Sequence, residues 1–148
     1  MNKKVYFDNA ATTPIRDEVI HRMTDVMKSN FGNASSSHSY GRSSKSLIES
    51  SRKTIAALLN CSASEIVFTS GGTEAVETAL KICRKWAYEV KGIENKQAQI
   101  IVCENNFHGR TTTIISFSND PVARKHFGLL TDRFIKIEYN NLDELEAT

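Results

Sequence analysis

The feature that most constrains this chain is a short β-branched run, Glu65-Ile66-Val67-Phe68-Thr69. It leads through Ser70-Gly71-Gly72-Thr73 directly into a long helical period. In that period Ala75, Val76, Ala79, Leu80, Cys83, Trp86, Ala87 and Val90 recur at i, i+3/i+4, i+7, which predicts a helix ending near Lys91-Gly92 with cations in its last turns. Strand, glycine turn, then helix is the entry to an α/β layer. Paired glycines let backbone amides approach an anion, and a helix start aims free N–H groups and its positive dipole end at the same spot. The Thr73 hydroxyl adds a donor. The pattern is neither Gly-Lys-Ser/Thr nor GxGxxG, so the simplest alternative is a tight turn with a capping Thr.

Further strands are expected at 99–103 (Gln-Ile-Ile-Val-Cys), of the buried parallel kind, and at 134–138, by alternation. Residues 5–7 read as a short strand before a turn over 8–14. Val19, Ile20, Met23, Val26 and Met27 predict a helix over 16–29, broken at Phe31-Gly32-Asn33. Nine serines fall in 35–51, yet Leu47, Ile48, Ile55, Leu58 and Leu59 keep a helical period. That predicts a loop through Ser39 and a helix from about Gly41 to Leu59, with Arg42, Lys45, Arg52 and Lys53 on a solvated face. Residues 111–117 fit either helix or strand, and Asn141 with Glu144 opens a last helical turn in capping-box style. The fold class is α/β, parallel strands with flanking helices, preceded by a helical N-terminal segment: 1–60 helical, 61–148 an incomplete α/β domain.

At 148 residues there is room for one domain. Nineteen Lys+Arg against seventeen Asp+Glu give +2, so no strong field draws the chain to nucleic acid or an acidic membrane. No apolar run approaches the roughly 20 residues that span a bilayer. The start Met1-Asn2-Lys3-Lys4 lacks an apolar core, so no secretory leader is expected. Cys61, Cys83 and Cys103 are widely spaced in apolar surroundings and read as small buried hydrophobes in a reducing cytosol. The four histidines make no HxxxH or CxxC spacing, so no metal site is expected.

The second chemical signal is Asn105-Asn106-Phe107-His108-Gly109-Arg110, directly after strand 99–103. Loops at the carboxyl ends of parallel strands are where α/β proteins bind ligands. An aromatic there can cover a flat ring, and an arginine can clamp a carboxylate; a purely structural turn is the alternative. Together the two loops suit a flat, phosphorylated cofactor with an acidic substrate beside it.

Two stretches then resemble known families. Val5-Tyr6-Phe7-Asp8-Asn9-Ala10-Ala11-Thr12-Thr13-Pro14, Phe31-Gly32-Asn33 through His38-Ser39-Tyr40-Gly41-Arg42, and Glu65 through Glu74 carry the first. Through them residues 5–75 resemble the N-terminal part of the cysteine desulfurases, the class V branch of the fold type I pyridoxal-phosphate enzymes. Residues 74–148 resemble ornithine aminotransferase and its acetylornithine relatives, the class III branch. The carriers are Glu74-Ala75-Val76-Glu77-Thr78-Ala79-Leu80-Lys81, Cys83-Arg84-Lys85-Trp86-Ala87-Tyr88 and Ile101 through Thr112. The join falls at 72–75, where both branches place a phosphate-binding turn before a helix.

The resemblance implies a partial fold type I large domain and pyridoxal 5′-phosphate as cofactor. Gly72 and Thr73 would contact its phosphate, and Phe107 would stack on its ring. Arg110 would take a substrate carboxylate, and Asn33 and His38 would line the substrate region; desulfurases usually have Pro where this chain has Ala34. The partners implied are an amino acid substrate and a second copy, as a homodimer or by edge pairing. In both families the lysine that tethers the cofactor, the acid on its ring nitrogen and the desulfurase cysteine lie downstream of anything matched here. Lys81, Lys85, Lys91 and Lys96 carry no sign of the tethering role, so no catalytic residue is assigned. In the families, strands absent here separate the one matching 65–69 from the one matching 99–103. The chain must then pair its strands in a new order, dimerise or pack loosely. Three readings follow: a hybrid or truncated piece without turnover of its own, an engineered or recombined non-enzymatic module that binds a phosphorylated ligand or itself, and an enzyme completed by another subunit.

Overall fold

A computed structural model describes residues 4–148; the first three residues of the charged start lie outside them. The chain divides into two compact units, one ending at Val67 and the other spanning Phe68–Thr148.

The first unit is helical. Helix α1 (Asp17–Ser29) opens on Asp17 and Glu18 and carries Lys28 in its last turn, each charge complementing the helix dipole. Its apolar stripe forms as expected but stays uncovered, with no residue of α1 buried. Helix α2 (Ser39–Leu59) begins two residues earlier than the serines suggested. The reason is a cap that the residue pattern does not advertise: His38 Nδ1 accepts from the Gly41 N–H at 3.2 Å. The loop before it is tight, since a β-carbon on Gly41 would stand 2.4 Å from the Ser36 carbonyl oxygen. Asn60, left-handed at φ 53°, ends α2, and Ser62 with Glu65 closes a reciprocal capping box over the 3-10 turn Ala63–Glu65.

Two expected strands do not form. Residues 5–7 are irregular, with Val5 67% and Phe7 90% exposed. The expected buried strand 65–69 is the end of the 3-10 turn followed by irregular backbone, with Val67 and Phe68 exposed. Strand propensity describes a fit to a neighbouring strand, and these two segments lie outside the sheet.

In the second unit, α3 (Gly72–Glu89) is followed by β1 (Ile100–Cys103), α4 (Thr112–Ile115), α5 (Pro121–Arg124), β2 (Phe134–Ile137) and α6 (Leu142–Ala147). Strands β1 and β2 pair in parallel, Ile100 beside Phe134 through Cys103 beside Ile137. The ambiguous 111–117 stretch resolves as the short helix α4, whose Ile114 joins Phe117 and Leu80 as the core. Val76, Ile100, Val102 and Phe134 pack around it, and the Phe117 and Phe134 rings lie 4.6 Å apart. The α/β class with parallel strands and flanking helices is therefore what the chain adopts. Asn141 caps α6 by accepting from the Glu144 N–H. Glu144 does not close the box on that cap; it accepts from the Glu138 N–H instead.

The cysteines correct an expectation. All three are free thiols, but Cys83 is exposed and Cys61 and Cys103 are half-buried. Cys83 follows Val76 and Leu80 on the same stripe of α3, yet the core ends before it and its thiol is exposed.

Candidate functional site

Helix α3 starts without a side-chain cap. Gly71, its N-cap, is fully extended at φ −177° and has no side chain to offer. The first-turn N–H groups are thereby left for another acceptor. A β-carbon on Gly72 would meet nothing within 4 Å, so the ground before those groups is open. Glu74 turns its carboxylate back to this end, where Oε2 would stand 3.2 Å from a β-carbon on Gly71.

The loop after β1 is pinned against this helix start. Asn106 Nδ2 donates to the Cys103 carbonyl at 2.6 Å and to that of Phe117 at 3.4 Å. Asn105 takes a left-handed turn at φ 55°, and its N–H donates to Asn119 Oδ1. Gly109, at φ 127°, passes so close to Thr73 that a β-carbon there would stand 2.3 Å from Thr73 Oγ1. Two residues on, Thr111 Oγ1 donates to Glu77 Oε1 at 2.5 Å. These contacts tie the two loops to each other across the carboxyl end of β1.

The result is an open cavity of about 310 Å³ walled by Gly72, Thr73, Val76, Phe107, His108 and Gly109. Phe107 is 75% exposed, so a ring face is free to cover a ligand. Phe107 also borders a second depression of about 310 Å³, which Arg110 shares with Asn105, Asn106 and Asp120. The structure therefore brings Gly72, Thr73 and Phe107 around one cavity, with Arg110 on the adjoining one. Asn33 and His38 belong to the first unit. There Asn33 Oδ1 accepts from the Ser35 N–H at 2.9 Å and His38 caps α2.

Sequence reasoning missed Glu77 and Asn119 and gave Asn106 no role of its own, and all three fix the loop through hydrogen bonds. The available signal was the Asn105-Asn106 pair after a strand, since asparagine tolerates left-handed backbone and bonds to its own neighbours. Among the described residues no group of three or more His, Cys, Asp or Glu side chains is placed to hold a metal ion. No described helix is long and apolar enough to cross a membrane.

The family model for class III aminotransferases matches residues 20–147, running through the 72–75 join and back into the stretch that resembles desulfurases. The ornithine aminotransferase of Oceanobacillus iheyensis is 49% identical over 75 residues, 51% of this chain and 19% of that protein. That of Brevibacillus brevis is 53% identical over 75 residues, 51% of this chain and 19% of its own length. That of Plasmodium falciparum is 46% identical over 82 residues, 55% of this chain and 20% of its own. The chain thus spans about a fifth of the length of these curated relatives. Among solved structures, an ornithine aminotransferase from Toxoplasma gondii, described with partial occupancy of pyridoxal phosphate at its active site, superposes with a TM-score of 0.63. It is 37% identical, over 67% of this chain and 23% of that one. The architecture is accordingly a partial fold type I large domain.

Proposed function

The chain belongs to the class III aminotransferases, and on that premise we propose that it is the portion of such an enzyme that seats the phosphate and covers the ring of pyridoxal 5′-phosphate. The observation that carries this is the Thr73–Gly109 contact, which sets the uncapped start of α3 and the Phe107 ring around a single cavity. The residues fit the group. The first-turn N–H groups and the Thr73 hydroxyl can donate to phosphate oxygens, Gly72 leaves room for them, and Phe107 offers a free face. When bound, the cofactor supplies an electron-withdrawing ring that labilises bonds at an amino-bearing carbon. Arg110, on the neighbouring depression, would hold the carboxylate of an amino acid substrate of the ornithine kind.

The chain alone is proposed to hold this group without turning substrate over, because no lysine here matches the family's tether. A second copy would cover the outer edges of the two-stranded sheet, and three free thiols fit a reducing cytosol. The test is a transamination assay with cofactor, amino donor and 2-oxo acid. We expect no turnover by the purified chain, and turnover once a separately produced C-terminal class III portion is added. Turnover unaided would overturn the reading.

A two-family origin is proposed alongside it. Its support is the desulfurase-like motifs up to Glu74; against it, the class III family model runs unbroken over residues 20–147. Amplification of source DNA across the codons for Asn60 to Lys85 tests it. An uninterrupted product with this sequence is expected, and recovery of the two halves only on separate products would refute it.

A further inference from the structure

At the opposite end of the sheet from Phe107 lies a depression of about 380 Å³ lined by Arg84, Tyr88, Lys96, Ala98, Asp132 and Arg133. We propose that it is a second anion site, for a small ligand carrying more than one phosphate-type charge. Three cations face one concavity against a single carboxylate, that of Asp132. Among the described residues neither Lys96 nor Arg133 makes an ion pair. Arg84 is already fixed: its guanidinium stacks 5.1 Å from the Phe134 ring centre and donates to the Asp132 carbonyl at 3.3 Å. A cation held in place before binding loses little freedom on meeting an anion, and a guanidinium suits phosphate oxygens in particular. Tyr88, half-buried, adds a hydroxyl and a ring edge.

The backbone gives a second reason. Lys96 and Arg133 both hold left-handed φ angles, 66° and 68°, a conformation that long side chains rarely adopt and that favours Gly or Asn. They flank the amino ends of the paired strands, and the Ile100 N–H donates to the Arg133 carbonyl at 3.0 Å. An anion bridging the two cations would therefore clamp the end of the β1–β2 ladder. The site is separated from the Phe107 cavity by the length of a four-residue strand, roughly 13 Å. It is concave and small, and a net charge of +2 spread over the chain gives no extended basic track, which favours a small polyanion over nucleic acid.

The experiment is calorimetric titration of sodium pyrophosphate into the full chain at ionic strength held constant with sodium chloride. The expected result is saturable binding, weakened at least tenfold by the double variant Lys96→Asn/Arg133→Asn and changed less than twofold by the control Lys53→Asn on α2. Asparagine removes the charges while tolerating the left-handed backbone, and far-ultraviolet circular dichroism verifies the fold. Should the double variant not fold, Lys96→Asn alone is expected to weaken binding at least threefold. Unchanged affinity in the charge-removed protein overturns the proposal. So does an equal loss in Lys53→Asn, which would show attraction to general positive charge rather than to this depression. Tighter binding of a single-stranded oligonucleotide through the same cations overturns it as well.

Discussion

Gly109 and Thr73, 36 positions apart in sequence, are in contact so close that no side chain fits between them: a β-carbon on Gly109 would overlap Thr73 Oγ1 at 2.3 Å. That contact joins the loop carrying Phe107 to the start of α3. Gly109→Ala is expected to destabilise the second unit by about 1–3 kcal/mol through its φ of 127° alone, with overpacking added. Urea unfolding followed by the single tryptophan, Trp86 on α3, measures it. A loss below about 0.5 kcal/mol would mean that the two loops are not packed as described.

Phe107 and Phe117 predict opposite behaviour. Phe117 is 1% exposed, so Phe117→Ala should cost about 3–5 kcal/mol and unfold the second unit under mild conditions. Phe107 is 75% exposed, so Phe107→Ala should leave stability within about 0.5 kcal/mol. It should weaken binding of a pyridine phosphate by about tenfold, the worth of one good aromatic contact. Thermal midpoints together with ligand titration separate the two effects.

Thr111→Val removes the hydroxyl that donates to Glu77 and leaves that carboxylate without its loop partner. The expected cost is about 1 kcal/mol. If the bond holds the loop, Glu77→Gln should restore little, because an amide oxygen still needs the missing donor. A double-mutant cycle of Thr111→Val with Glu77→Ala, which removes the acceptor, should show coupling of about 1 kcal/mol; coupling near zero would show that the loop is held elsewhere.

Glu74 competes with any anion for the start of α3. Its replacement by Gln should tighten binding of inorganic phosphate about two- to fivefold, the range expected for one charge at a helix N-terminus. Phosphorus NMR titration reads this directly, and weaker binding in the variant would show that the anion sits elsewhere.

Helices α1, α2 and α3 were legible because a 3.6-residue period needs no partner to be recognised. The strands were legible only where a neighbour exists: 100–103 and 134–137 found each other, whereas 65–69, of similar composition, lies outside the sheet. The face of α3 was also misread. Its apolar stripe is wider than one packing surface, so Val76 and Leu80 meet the core while Trp86 and Val90 remain 50% and 69% exposed. That Gly72, Thr73 and Phe107 would line one cavity followed from their loop positions relative to strand and helix. The hydrogen bonds of Asn106 to Phe117, of Asn105 to Asn119 and of Thr111 to Glu77 could not be found that way, since they join positions 11 to 34 apart. His38 shows a structural role that the residue pattern did not reveal, since its imidazole caps α2.

The most direct test of the cofactor seat uses pyridoxine 5′-phosphate, which lacks the aldehyde and so cannot react with surface lysines. Calorimetric titration into the full chain should show saturable one-to-one binding that inorganic phosphate competes away and that Phe107→Ala and Thr73→Ala each weaken. Absence of binding at millimolar ligand, or binding indifferent to both substitutions, would contradict the account.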